Sequence, residues 1–418
     1  MSDRPPSDRD SPESTPPAGE TPPLDPVSSG SSETPGESAS PLHSTADDAS
    51  CQTPPPPEEP TGRATFPTAR RVRLGPGLLE SLIWLLGVFV VQFAAAAVTV
   101  LVALFSHLTP DELANIDIEK AVTEAVETYS VEIVGGSILG FVLVAILATF
   151  LRLGRSTRRL IGLRPMPSIH VVQILLVMLP LAILSGTLHV YTTQFWDWLI
   201  HQVPWFAQFD SFQTIEMVSE LVDRSSLALL FMVVAVGPAI GEELVFRGVI
   251  GRGLIARFNL LPGVMLTTVL FAAAHVHPAH ALALIPLGLF IHFVYYTTRS
   301  IYGPIFLHLL NNSWALFALA SNTEIDEAAA IPDQVMPPQI VATASLSIIF
   351  VASWMWVSRS RFVNAAGEEW SPGYDSLELP PANVDVIEAR HTPSQWQLSL
   401  VAVALMSFYA FFLGVIGG

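Results

Sequence analysis

Nine apolar runs constrain this chain more than anything else in it: 78–105, 131–151, 171–190, 226–250, 261–276, 281–296, 301–320, 339–357 and 396–416. About 20 apolar residues in a helix cross a hydrocarbon core of roughly 30 Å. Inside lipid a helix also pairs its own backbone N–H and C=O groups, which an open sheet or a loop does not. The composition agrees, with 50% hydrophobic and 14% charged residues and a mean hydropathy of +0.48. That balance is expected of a membrane protein and unusual in a soluble one. The expected fold is all-α, a polytopic membrane helix bundle of about eight core transmembrane helices plus one carboxyl-terminal helix.

Arginines orient the runs. Arg63, Arg70, Arg71 and Arg73 precede the first, and Arg152, Arg155, Arg158, Arg159 and Arg164 follow the second. By the positive-inside rule both places are cytoplasmic, and these two assignments are independent and agree. The amino terminus is then inside and the carboxyl terminus outside, in a multi-pass protein of the plasma (inner) membrane. Residues 1–70 read as a disordered cytoplasmic tail, because 1–60 hold 15 of the 34 prolines and 12 acids against Arg4 and Arg9. Such a stretch buries too little apolar surface to offset its ordering entropy. It also carries more than half of the net charge of -17, which therefore says little about partners. Residues 71–358 form the membrane domain, with a motif core at 226–320. A cytoplasmic linker follows at 359–395, and 396–418 is a last transmembrane helix. No signal-peptide pattern opens the sequence, so the first span is expected to be internal. Cys51 stands alone, which excludes an intrachain disulfide and a thiolate metal cluster. No basic, aromatic-interleaved surface suggests nucleic acid. Trp196, Trp198 and Trp205 are expected at headgroup level, in a helical excursion that reaches Arg224.

The fourth run contains GEELVFR at 241–247. Each ionisable group at the centre of a bilayer costs about 2.5–3.5 kcal/mol on insertion scales, so three together call for a reason. Glu243 and Arg247, four apart, share a helix face and offset one another's desolvation. Glu242 lies about 100° round the helix, without that partner. An unpaired, poorly solvated carboxylate suits general-base work near neutral pH. The competing reading is a structural ion cluster that locks two helices, and this stretch alone does not decide between them. FAAAH at 271–275 and HLLNN at 308–312 each set two residues four apart on one face, Phe271 with His275 and His308 with Asn312. Histidine within a span is a functional hypothesis by default. An acid pair, two histidines and an asparagine from three separate runs are the parts that activate a water and stabilise an oxyanion.

With E-E-x-x-x-R, F-x-x-x-H and H-x-x-x-N in this order, the chain resembles the CAAX prenyl endopeptidase family of intramembrane proteases, also called CPBP or ABI. The resemblance implies that Glu242, His275 and His308 are catalytic and that Asn312 is an oxyanion or water-positioning donor. Glu243 and Arg247 become the supporting ion pair, with Phe271 beside them. In that scheme Glu242, oriented by His275, deprotonates a water that attacks a peptide carbonyl, and His308 and Asn312 hold the developing charge. No cofactor is firmly implied. A zinc version competes, with Glu242, His275 and His308 as ligands and a fourth position open to water. Asparagine is a poor zinc ligand and a natural oxyanion donor, which favours the metal-free version. The partners implied are a protein or peptide substrate, lipid-modified in one variant, and membrane lipid. A reading from a different class is a non-catalytic scaffold or small-molecule carrier that uses the same polar cluster. The lack of an internal repeat weakens a carrier built from duplicated halves.

His277 and His280 tempt one to extend the second motif into a metal cluster. Pro278 interrupts any helix there, so they are expected as solvated loop histidines. His292 is expected as a packing residue. The run boundaries also leave a mismatch in depth: Glu242 lies about 12 Å from the end of its run, and His275 about 20 Å from the start of its own.

Overall fold

The computed structural model describes residues 75–107, 117–212, 214–222, 224–324, 336–363 and 387–416. The expectations made for the tail and for most of the 359–395 linker lie outside the described residues. Every apolar run is a helix. In chain order the helices are Leu78–His107 (α1), Ile118–Thr128 (α2), Ser130–Leu153 (α3), Ser168–Gln202 (α4), Thr214–Val222 (α5) and Leu227–Phe258 (α6). They continue as Leu260–Ala273 (α7), Pro278–Thr298 (α8), Tyr302–Glu324 (α9), Pro338–Val357 (α10) and Gln395–Ile416 (α11). Seven are long and apolar enough to cross a membrane, as an all-α polytopic bundle requires. Of the remaining apolar pair, α7 has only 14 residues. The other, α9, is long but carries His308, Asn311, Asn312 and Ser313.

Burial separates the inner helices from the outer ones. Half of the most apolar window of α6 and of α8 is buried, against 11% in α1, whose Leu79 and Phe93 face outward. The small residues Gly237 and Gly241 of α6 let α3 approach closely: a Cβ at Gly241 would lie 2.5 Å from Cε1 of Phe141. Close approach over small residues is how helices associate where lipid removes the hydrophobic drive. The opposite face of α6 meets α9, and α8 packs on both α4 and α7.

Two helices run past their expected ends. The first, α4, continues to Gln202, and its 35 residues make it longer than a hydrocarbon core is thick. The second, α6, continues through Arg252 and Arg257 to Phe258. This extension removes the mismatch in depth, because Glu242 and His275 now both lie about 22–24 Å along their helices from the α6–α7 turn. Within α6, π-helical turns at Phe231–Val236 and Leu244–Gly251 flank the α-helical Gly237–Glu243. Such turns are rare and concentrate at functional sites. Pro238 brings no N–H, so the Val234 carbonyl lacks its α-helical donor.

The tryptophan expectation needs one correction. Trp198 and Trp205 are exposed, as headgroup anchors should be, but Trp196 is 5% exposed. Because α4 continues through it, Trp196 turns inward onto the 3-10 segment Pro204–Phe212 and donates from Nε1 to Oδ1 of Asp210 at 2.8 Å.

Polar contacts sort the helix ends into two sets. At one end Arg152 grips Glu80 at 2.7 Å, Arg257 donates to the Gly75 carbonyl at 3.2 Å, and Arg164 to that of Arg299 at 2.8 Å. Here too the linker begins with a strand, Arg361–Val363 (β1), paired antiparallel with Ile387–Ala389 (β2). At the other end Arg224 donates to the Glu127 carbonyl at 3.0 Å.

Candidate active site

Four helices meet at Glu243. Its Oε1 accepts from Nη1 of Arg247 at 2.8 Å and lies 2.8 Å from Nδ1 of His308 on α9. Both Glu243 and Arg247 are fully buried. The guanidinium also donates from Nη2 to the Gly288 carbonyl of α8 at 3.0 Å and sits 4.5 Å above the ring of Phe271 on α7. An interior ion pair persists only when further hydrogen bonds satisfy it, and here three other helices supply contacts. A Cβ at Gly288 would be tight, 3.0 Å from Cγ2 of Thr268 and 3.2 Å from Cδ1 of Phe271.

Phe271 is the hub of the aromatic contacts. Its ring takes Phe246 edge-on at 5.4 Å, His275 at 5.2 Å and His308 at 5.9 Å. The first residue of the second motif thus carries the arginine on its face and both motif histidines at its edges.

Glu242 differs from its neighbour. Its Oε2 is buried with no hydrogen-bond partner among the described residues, as is that of Glu243, but unlike Glu243 it has no other oxygen bonded to an arginine or a histidine. The nearest charged-type contact is Nε2 of His308 at 3.9 Å. That is too long for a direct hydrogen bond. His308 therefore stands between two carboxylates, bonded to one and facing the other across a gap.

His275 ends its helix. Its Nδ1 lies 3.1 Å from the Phe271 carbonyl, so Nδ1 carries the proton and Nε2 is the free nitrogen. It lies within electrostatic reach of Glu242 and His308, but among the described residues no hydrogen bond or ion pair joins it to Glu242. Asn312 donates from Nδ2 to the Val234 carbonyl at 3.2 Å, which ties α9 to the first π-helical turn of α6. One of its two amide hydrogens is thereby engaged and the other remains.

The zinc alternative concerns Glu242, His275 and His308. Among the described residues no three His, Cys, Asp or Glu side chains gather into a metal-binding group. Glu242, His275 and His308 are no exception, although with Nδ1 of each histidine engaged by a carbonyl or a carboxylate, Nε2 is the nitrogen each could offer to a metal.

His277 is not solvated, contrary to expectation, while His280 is partly exposed. His277 is 3% exposed and caps α8, its Nδ1 accepting the His280 N–H at 3.4 Å. His280 packs against His275 and His189. Pro278 does not break a helix here but starts one, a position where its missing N–H costs nothing. His292 is buried, as a packing residue should be. The Gly288 carbonyl and the Val234 carbonyl escape sequence reasoning, because backbone acceptors leave no letter. Pro238, four residues after Val234, is the one signal that could have located the second.

Comparison with known proteins places these residues in a family context. Residues 224–314 match the family described as type II CAAX prenyl endopeptidase Rce1-like. A Bacillus subtilis (strain 168) protein, YdiL, whose name gives it as a candidate membrane peptidase, is 29% identical over 103 residues. The match covers 24% of this chain and 42% of that relative. No solved structure matches at a significant level. All three motifs, from Glu242 to Asn312, fall within the matched segment, and over residues 224–314 this chain is similar to the Rce1-like type II CAAX prenyl endopeptidases.

Proposed function

We propose that this protein is a membrane-embedded endopeptidase of the CAAX-processing type, with Glu242 as the base that activates water. The observation that carries the reading is the gap between Glu242 Oε2, buried and without a hydrogen-bond partner, and His308 Nε2 at 3.9 Å. A water held there gives its proton to Glu242 as its oxygen attacks the scissile carbonyl. The proton then passes to the leaving amine, so no net proton need enter or leave. A His308 that carries both protons donates from Nδ1 to Glu243 and presents Nε2–H to the developing oxyanion. In that state two carboxylates face one guanidinium and one imidazolium, and the buried cluster is neutral. The remaining amide hydrogen of Asn312 and the free Nε2 of His275 complete the polar wall. Glu243, Arg247 and Phe271 hold these groups in place.

The substrate in this reading is a protein or peptide at the membrane, prenylated at its carboxyl terminus in the variant closest to the family's description. The arginine-bearing helix ends face the cytoplasm. The test uses a quenched-fluorescent peptide with a farnesylated carboxyl-terminal CAAX sequence, its unprenylated twin, and the membrane proteomes of cells carrying wild type or Glu242→Gln. Loss of peptide cleavage, or accumulation of uncut precursors, in Glu242→Gln is the expected result. Unchanged cleavage and an unchanged proteome would leave the polar cluster to a scaffold or carrier.

A further inference from the structure

We propose that His280, braced by His189, is a positioning residue for His275. This inference rests on the hydrolytic role proposed above. His275 lies just past the last residue of α7, Ala273, where no next helical turn fixes its rotamer. On one side its ring meets Phe271, and on the other it meets His280, with centroids 5.3 Å apart at 53°. The contact is one of ring against ring, since among the described residues no hydrogen bond joins the two imidazoles.

Three further observations indicate that this contact is built. The residue after His275, Val276, has φ of +62°, a left-handed conformation costing a β-branched residue about 1–2 kcal/mol. The chain retains it between two anchored histidines. His275 is tied to Phe271, while His277 caps α8 and faces Oδ1 of Asp210 at 3.7 Å, the oxygen that Trp196 also holds. Then α4 clamps the first turn of α8. His189 sets its ring edge-on to His280 at 5.6 Å, and Thr192 donates to the Ala279 carbonyl at 2.9 Å. His189, Thr192, Trp196 and Asp210 all precede the family-matched segment, 224–314.

Positioning of this kind acts on turnover, because a reacting group misplaced by about 1 Å can cost on the order of 10²-fold. With the peptide or precursor that the wild type cuts, His280→Ala should lower kcat by about tenfold or more with KM little changed. His280→Phe, which keeps a flat ring, should restore most of the loss. His189→Ala should give a smaller loss, and the double alanine variant should be no worse than His280→Ala, since both act through one contact. Wild-type kcat in His280→Ala, a Phe variant as impaired as Ala, or additive losses would overturn the inference. A readout free of turnover uses 15N-histidine spectra in nanodiscs, with the His275 signals identified by their absence in His275→Ala. They should shift in His280→Ala and return in His280→Phe, and signals that do not move reject the brace. Glu242→Gln that still cleaves refutes the hydrolytic reading instead, so the two failures are distinguishable.

Discussion

His308 Nδ1 lies 2.8 Å from Oε1 of Glu243, an oxygen that also takes Arg247, whereas Glu242 next in sequence makes no hydrogen bond among the described residues. Two adjacent glutamates should therefore answer mutation in opposite ways. Glu243→Gln leaves a guanidinium buried without its counter-charge, and breaking such a pair costs about 3–5 kcal/mol. Glu242→Gln removes no hydrogen bond and should destabilise clearly less than Glu243→Gln while abolishing cleavage. Thermal unfolding in detergent, followed by tryptophan fluorescence, separates the two. Equal destabilisation would mean that both carboxylates are structural.

Asn312 and Pro238 should be coupled. The Asn312 amide donates to the Val234 carbonyl in the π-helical turn just before Pro238, so Asn312→Ala should destabilise by about 0.5–1.5 kcal/mol. Pro238→Ala restores a backbone N–H, and in that background Asn312→Ala should cost clearly less. A double-mutant cycle on unfolding midpoints measures the difference. Strict additivity would detach the asparagine from the helix.

A methyl group at Gly241 has no room. Its position 2.5 Å from Cε1 of Phe141 predicts about 1–3 kcal/mol of overpacking strain for Gly241→Ala. Because Glu242 is the next residue, the shift should also slow cleavage. Phe141→Leu combined with Gly241→Ala should recover much of both. If Gly241→Ala alone behaves as wild type, α3 and α6 are less tightly apposed than described.

Chelation should have no effect. The three candidate zinc ligands do not form a metal-binding group, so dialysis against a strong chelator should leave both cleavage rate and thermal midpoint unchanged. Metal analysis of the purified protein should find no stoichiometric zinc. Activity lost on chelation and restored by zinc would reinstate the metal version.

The helices were legible because lipid imposes a simple rule: a run must be long and apolar, and each of the nine became a helix. Ends were less legible. Residues 251–258 of α6 are too polar to read as membrane, yet they stay helical with protein covering most of them, whereas 191–202 of α4 continue their helix largely exposed, with Trp196 alone buried. The i,i+4 spacing of Glu243 and Arg247 anticipated their pairing, and the motif order brought Phe271, His275 and His308 to one place. Spacing could not anticipate that His308 would bind Glu243, since that contact spans 65 residues. His277 and His280 were misread because a proline looks the same in sequence whether it closes one helix or opens the next.

The brevity of α7 carries a consequence for the lipid around the protein. Fourteen residues span about 21 Å, roughly 9 Å short of an ordinary hydrocarbon layer. Backbone that leaves a helix at such depth persists only against protein or beside water. The turn at Ala274–His277 thus marks where the bilayer must thin or admit solvent. Acyl-chain length then becomes a control on how readily water reaches the site, with short-chain vesicles favouring access and long-chain ones opposing it.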